Sequence, residues 1–206
     1  MDFPAVAKRE LRAREARIEK RLCPDQYFGK VKLIERAGEL SVRQAAVHRT
    51  AEKCLLLVLE SPHVSEFDND PGPAKGTSGK NIAKFLRQVR GLESFGDHGL
   101  ILINAIQYQC SLGFATDEFR DRVFTELWNT GGREDFISRL TRLYKAGDTL
   151  VNCCTKGAAN IPSNELRVLV QSAICHALLG VSVMRRNHPS CWHFRAKRQH
   201  EWQTEA

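Results

Sequence analysis

No stretch of about eighteen consecutive apolar residues occurs in this 206-residue chain, so it offers no segment with the length of a transmembrane helix. The first twenty residues are charged and lack the apolar centre of a secretory signal, so a soluble, cytoplasmic protein is expected. There is no Cys-x-x-Cys pair. The seven cysteines, at positions 23, 54, 110, 153, 154, 175 and 191, are odd in number and scattered, several within apolar runs. That suits reduced, buried thiols better than a disulfide framework. The one adjacent pair, Cys153-Cys154, points to opposite faces if it lies in a strand, so no metal centre and no other cofactor is expected. Internal repeats and low-complexity segments are also lacking. The length suits one core and falls short of two full domains, which leads to a single domain over 25–206 behind a basic helical extension over 1–24.

What the chain has is positive charge. Thirty-one lysines and arginines against 24 acids give a formal charge of +7, which favours a polyanionic partner without identifying one. Basic residues crowd the N-terminus (Lys8, Arg9, Arg12, Arg14, Arg17, Lys20, Arg21) and recur at Arg185, Arg186, Arg195, Lys197 and Arg198. A solvated surface is the alternative explanation for either cluster.

Helical spacing over 4–22 and again from Val42 to Lys53 precedes an apolar run, Leu55–Leu59, that has the length of a buried strand. A loop with Pro71, Gly72, Pro73, Gly76 and Gly79 follows, then helical spacing over Lys80–Val89 and a second strand at Leu100–Ile103. Further helices are predicted at Thr116–Trp128, Arg133–Lys145 and Asn164–Leu178, with strands at Thr149–Cys153 and Val181–Met184 and a frayed end over Gln203–Ala206. This alternation predicts a three-layer α/β/α fold around a mostly parallel sheet.

Three of these strands end at polar groups. Leu55–Leu59 runs into Glu60-Ser61-Pro62-His63, Leu100–Ile103 into Asn104, and the last strand through two arginines into Asn187-His188-Pro189-Ser190. Ligands of open parallel sheets lie beyond the carboxyl ends of the strands, so Glu60, Asn104 and His188 are expected to converge. Glu60 either orients a water and accepts a proton or braces a loop. Asn104 carries the donors and acceptor needed to read the edge of an extruded base, or caps a turn. His188 either stabilises charge on a leaving group as a neutral donor or acts as an acid. Gly76-Thr77-Ser78-Gly79-Lys80 looks like the end of a phosphate-binding loop, yet Asn81 follows the lysine and Ala74 occupies the first glycine position, so the triphosphatase pattern is incomplete. Such a loop before a helix still suits a single backbone phosphate, or a plain turn. Trp192 and Phe194, interleaved with Arg195, Lys197 and Arg198, suit stacking on bases, or anchor the tail on the core.

Taken together, Glu60-Ser61-Pro62, the Pro73-Ala74-Lys75-Gly76 loop with Gly79, Asn104 after its strand and His188-Pro189-Ser190 resemble the uracil-DNA glycosylase superfamily over roughly residues 54–195. The similarity is greatest to the branch whose first motif reads Gly-Glu-Ala-Pro-Gly, though the cysteines that hold its iron–sulfur cluster are missing here. The resemblance implies catalytic roles for Glu60, Ser61 and His188, a base pocket formed by Pro62, His63, Ala74 and Asn104, and DNA contacts from Gly76, Ser78, Lys80, Asn187, Ser190, Trp192 and Arg195. It implies a monomeric glycosylase that needs no cofactor and flips a base from duplex DNA, or takes it from a single strand, to leave an abasic site. Ser61 replaces an acid or amide, Ala74 a stacking phenylalanine and His63 a glycine, so the pocket is remodelled. Two substrate classes fit: uracil, as in repair, and glucosylated hydroxymethylcytosine of phage DNA, as in anti-phage defence. A nucleic-acid-binding module that has lost catalysis and a small-molecule hydrolase are the competing expectations.

Overall fold

The computed structural model describes residues 1–12, 14, 18–157 and 165–203. Its centre is a six-stranded sheet of β1 (Gln26–Lys30), β2 (Gln44–Ala45), β3 (Cys54–Leu59), β4 (Gly99–Asn104), β5 (Thr149–Asn152) and β6 (Val183–Arg185), in the order β2-β1-β4-β3-β5-β6. Strands β3 to β6 are mutually parallel, while β1 pairs antiparallel with both β2 and β4. All six residues of β3 and all six of β4 are buried. Burial on both faces explains why these strands read as unbroken apolar runs without alternation.

The pleat divides those runs between two cores. Leu56, Val58, Ile101, Ile103 and Leu150 face a layer built from α1 (Phe3–Leu11), α4 (Arg120–Leu127), α5 (Arg133–Leu143) and α6 (Leu166–Ala177). Leu55, Leu57, Leu59, Leu100, Leu102 and Val151 face α2 (Val31–Ala37) and α3 (Thr77–Phe85). The expected mixed α/β sandwich with a mostly parallel sheet is therefore present. Cys153 and Cys154 do fall in opposite cores, and burial pushes both thiols upward.

Several local expectations are corrected. The N-terminal helix expected over 4–22 ends at Leu11, where Arg12 turns to φ 52°. It is capped by Asp2, whose carboxylate accepts the Ala5 N–H, and its Phe3, Val6, Ala7 and Leu11 are buried in the main core. Phe3 stacks on Tyr108 with centroids 4.6 Å apart, so these residues are part of the domain and not an extension to it. The helix expected over Val42–Lys53 is instead the two-residue β2 and a single 3-10 turn over Ala46–His48. Val42 and Val47 are exposed there, and only Ala46 of that turn is buried, so a helix would have no apolar face to bury. Strand β1, helix α2 and the short α7 (Arg195–Gln199) were not expected. The end expected to fray begins at Gln203 and continues into 204–206, outside the described residues.

Candidate active site

The chain leaves β3 through α3 to reach β4 on one side and comes back as β5 on the other, so the strand order reverses at β3. A crevice opens beyond the carboxyl end of a strand at such a reversal. A cavity of about 330 Å³ lies there, walled by Glu60, Ser61, Pro62, His63, Ser65 and Glu66 after β3, and by Gly76, Thr77 and Ser78 at the start of α3. Ser111, Thr116 and Arg120 enter from the β4–α4 connection, Thr155 from beyond β5, and His188 and Ser190 from beyond β6.

Glu60 is 5% exposed and follows β3 directly. Its backbone carbonyl accepts the Ile106 N–H at 2.9 Å, which extends the pairing of β3 and β4 past their ends and fixes the carboxylate. Its Oε2 accepts the Thr155 N–H at 3.3 Å and lies 3.6 Å from His188 Nε2. His188 caps the turn that follows it. The Ser190 N–H donates to His188 Nδ1 at 3.2 Å, with Ser190 Oγ at 2.8 Å. A backbone amide can only donate, so Nδ1 is an acceptor and the neutral ring carries its proton on Nε2, the nitrogen that faces Glu60. His63 repeats this device, its Nδ1 accepting the Ser65 N–H at 3.3 Å. The site thus holds two carboxyl groups, Glu60 and Glu66, and two imidazoles, each imidazole fixed by its own local turn.

No protein-family model, curated protein or solved structure matches this chain. The chemistry of the site rests on its own geometry.

Helix α3 completes the wall. Gly76 is its N-cap, and Thr77 and Ser78 open its first turn into the cavity. A Cβ on Gly79 would stand 1.9 Å from the Ala74 carbonyl, so only glycine lets the loop pack this closely on the helix. Asn81, the residue that breaks the triphosphatase pattern, is buried and donates from Nδ2 to the carbonyls of Pro189 and Ser190 at 2.9 and 3.0 Å. It ties the helix to the His188 turn.

Of the expected site residues, Glu60, Ser61, Pro62, His63, Gly76, Ser78, His188 and Ser190 meet at the cavity. Asn104 does not line it. It is 1% exposed, its Nδ2 donates to Cys23 Sγ at 3.4 Å, and its carbonyl accepts from Arg139. Ala74 also sits behind the wall, held at φ 56° with its N–H on Glu66 Oε1 at 2.8 Å. Trp192, expected on the DNA surface, is fully buried in the second core and donates to the Asn187 carbonyl at 2.7 Å. That burial removes it as a stacking group; Phe194, 57% exposed, is the aromatic of this segment on the outside. Asn187 spends its Nδ2 on the Lys197 carbonyl at 3.0 Å and braces the tail. Lys80 and Arg195 are exposed and lie outside the cavity wall.

Ser111, Thr116, Arg120 and Thr155 were missed. Thr155 follows a strand end by the same rule that singled out Glu60, and the run Thr149–Cys153 pointed to it. Ser111 left no such signal, because its connection has no regular period, and the helical spacing read over Thr116–Trp128 did not mark Thr116 or Arg120 as facing a site. Among the described residues, Ser111 Oγ and Thr155 Oγ1 are buried without a hydrogen-bond partner, as is Glu66 Oε2. A wall with unmatched polar atoms suits a polar occupant, since each such atom is costly to leave unpaired.

Proposed function

We propose that this chain is a monofunctional DNA glycosylase that takes a deaminated or modified pyrimidine out of the helix and hydrolyses its N-glycosidic bond, leaving an abasic site. The observation that carries the reading is the meeting of Glu60 and His188, from strand ends far apart in the sequence, at 3.6 Å in one cavity at the strand-order reversal. Glu60 and His188 are two of the residues that carry the resemblance to the uracil-DNA glycosylase superfamily; Asn104 and Ala74, two others, lie outside the cavity wall.

In this mechanism the bond from the sugar C1′ to the base nitrogen breaks, and its electron pair leaves with the base. The sugar gains oxocarbenium character. Glu60 favours that positive charge and orients the attacking water, whose oxygen bonds to C1′ and whose proton passes to Glu60 or to solvent. His188 Nε2–H donates to the departing base anion and lowers its energy. Preorganised electrostatic groups of this kind contribute about 2–4 kcal/mol of barrier each. The first turn of α3 offers the N–H groups and hydroxyls of Thr77 and Ser78 as donors to a backbone phosphate beside the flipped nucleotide. The 330 Å³ cavity has room for more than a bare pyrimidine, and the unpartnered Ser111 Oγ and Thr155 Oγ1 on its wall suit an oxygen-rich substituent. Glucosylated hydroxymethylcytosine is therefore ranked ahead of uracil.

The test uses wild-type protein, Glu60→Ala and His188→Ala on uracil DNA, plain DNA and glucosylated-hydroxymethylcytosine DNA, scoring alkali-sensitive abasic sites. Wild type should form them on one modified DNA, and each variant should lose about 10²- to 10³-fold in rate. Tight, salt-sensitive binding without abasic sites identifies a binding module instead.

A further inference from the structure

Base reading was expected from Asn104, which the fold turns away from the cavity. We propose that Glu66, in its neutral carboxylic-acid form, is the specificity-determining residue of the cavity, donating a hydrogen bond from Oε2 to an acceptor on the bound pyrimidine. The proposal rests on the glycosylase reading for its ligand class and on the following geometry for its residue.

Glu66 is in the cavity wall yet only 7% exposed. The loop over 66–76 is built around it. Its N–H donates to the His63 carbonyl at 2.9 Å, its own carbonyl accepts from Gly72 at 2.9 Å, and its Oε1 accepts from Ala74 at 2.8 Å. Ala74 provides that N–H from a left-handed backbone at φ 56°, a conformation that disfavours any residue with a Cβ. Two contacts hold it there. Arg43 Nη1 donates to the Pro73 carbonyl at 2.9 Å, and Gly79 lets the Ala74 carbonyl press against α3. A strained loop so fully braced fixes one oxygen and leaves the other, Oε2, shielded from bulk water and without a partner among the described residues.

Burial and the nearby charge of Glu60 push the Glu66 carboxyl up to about 8, against the pull of the Ala74 N–H, the His63 backbone and Arg43. The groups that face it are Glu60 from the end of β3, Arg43 from the segment before β2 and the Cys23 thiol from the segment before β1, with His63, His188 and, from α4, Arg120 also on the cavity. With Oε1 already engaged, the acid proton on Oε2 is a donor in search of an acceptor. A base carbonyl or the ring N3 of a cytosine-type base provides one.

Glu66→Gln keeps the shape, the Ala74 contact and a neutral donor, whereas Glu66→Ala removes the donor. Binding of free uracil and free 5-hydroxymethylcytosine is measured for wild type and both variants at pH 7 and pH 9, beside abasic-site formation on the DNAs above. Wild type should bind one of these bases at pH 7 and lose about tenfold by pH 9. The Glu66→Gln protein should bind it equally at both, and the Glu66→Ala protein about tenfold more weakly at both, the size of one buried hydrogen bond. A merely structural Glu66 would not give this pH contrast between wild type and Glu66→Gln. Three results overturn the proposal: wild type binds neither base, wild type binds equally at both pH values, or Glu66→Ala binds like wild type. Abasic sites formed alongside any of them leave the glycosylase reading standing. Glu66-dependent binding without abasic sites sinks catalysis and keeps the residue assignment.

Discussion

Glu66 shows how much a single buried carboxyl can shape the behaviour of this fold. Its ordinary value of 4.5 applies to the unfolded chain, and the folded value is raised to about 8. Below 4.5 both states bind the proton and folding suffers no penalty from this group. As the pH rises from 4.5 to 8 only the unfolded state releases it, so stability falls across that window and levels off above it. Glu66→Gln removes the titration, and its stability gain over wild type should grow from about pH 5 to about pH 8 to a few kcal/mol. Urea unfolding at a series of pH values checks this; parallel curves for the two proteins contradict it. Site residues were legible where an apolar run or a glycine-rich loop announced them. Glu60 and His188 follow such runs. Asn104 does too, yet its side chain points to Cys23, because the direction of the last residue of a strand depends on the pleat and on what packs below, which the run itself does not encode. Trp192 failed for a related reason: an aromatic beside arginines reads alike whether it faces solvent or the core.

Elements bring the site together through a few buried polar ties. Asn81 joins α3 to the His188 turn through two carbonyls. Asn81→Ala should slow excision about tenfold while leaving the affinity for DNA unchanged, since it misplaces His188 without touching the phosphates. An equal loss in binding and turnover would mean that the turn has unfolded. Beneath β4, Arg139 of α5 donates to Asp25 at 2.9 Å and to the carbonyls of Asn104 and Ala105 at 3.1 and 3.0 Å, with both charged side chains 7% exposed. Arg139→Leu leaves Asp25 buried without its cation, and should destabilise the protein by about 3–5 kcal/mol in chemical denaturation. The central strands and α3 to α6 were legible because their apolar periods are long. Strand β1 was not. Its inward residues are Tyr27 and Phe28, followed by Gly29 and the exposed Lys30, and its state is decided by pairing with Leu102, Ile101 and Gly99 of β4. The short β2 likewise exists only because Gln44 and Ala45 meet Tyr27 and Gln26. Such short strands take their structure from partners elsewhere in the chain, a signal absent from local pattern.

At the scale of the molecule, the +7 charge and the exposed Lys80 and Arg195 lead, under the proposed function, to an expectation of salt-dependent DNA binding. The logarithm of affinity should fall linearly with the logarithm of salt concentration, with a slope of about 0.9 per neutralised phosphate, and Lys80→Ala or Arg195→Ala should each reduce that slope by about one. Fluorescence anisotropy at several salt concentrations measures it, and a flat dependence would favour a small-molecule substrate. The fold class was legible because strands and helices alternate, and the reversal of strand order at β3, which locates the cavity, emerged only with the pairing. The most direct measurement of the central claim is mass spectrometry of the low-molecular-weight products after the protein acts on uracil DNA and on glucosylated-hydroxymethylcytosine DNA. The account predicts one free pyrimidine base, released without metal or cofactor, from a strand that stays intact until treated with alkali. Released nucleotides, a strand cut before alkali, or no free base from either DNA would contradict it.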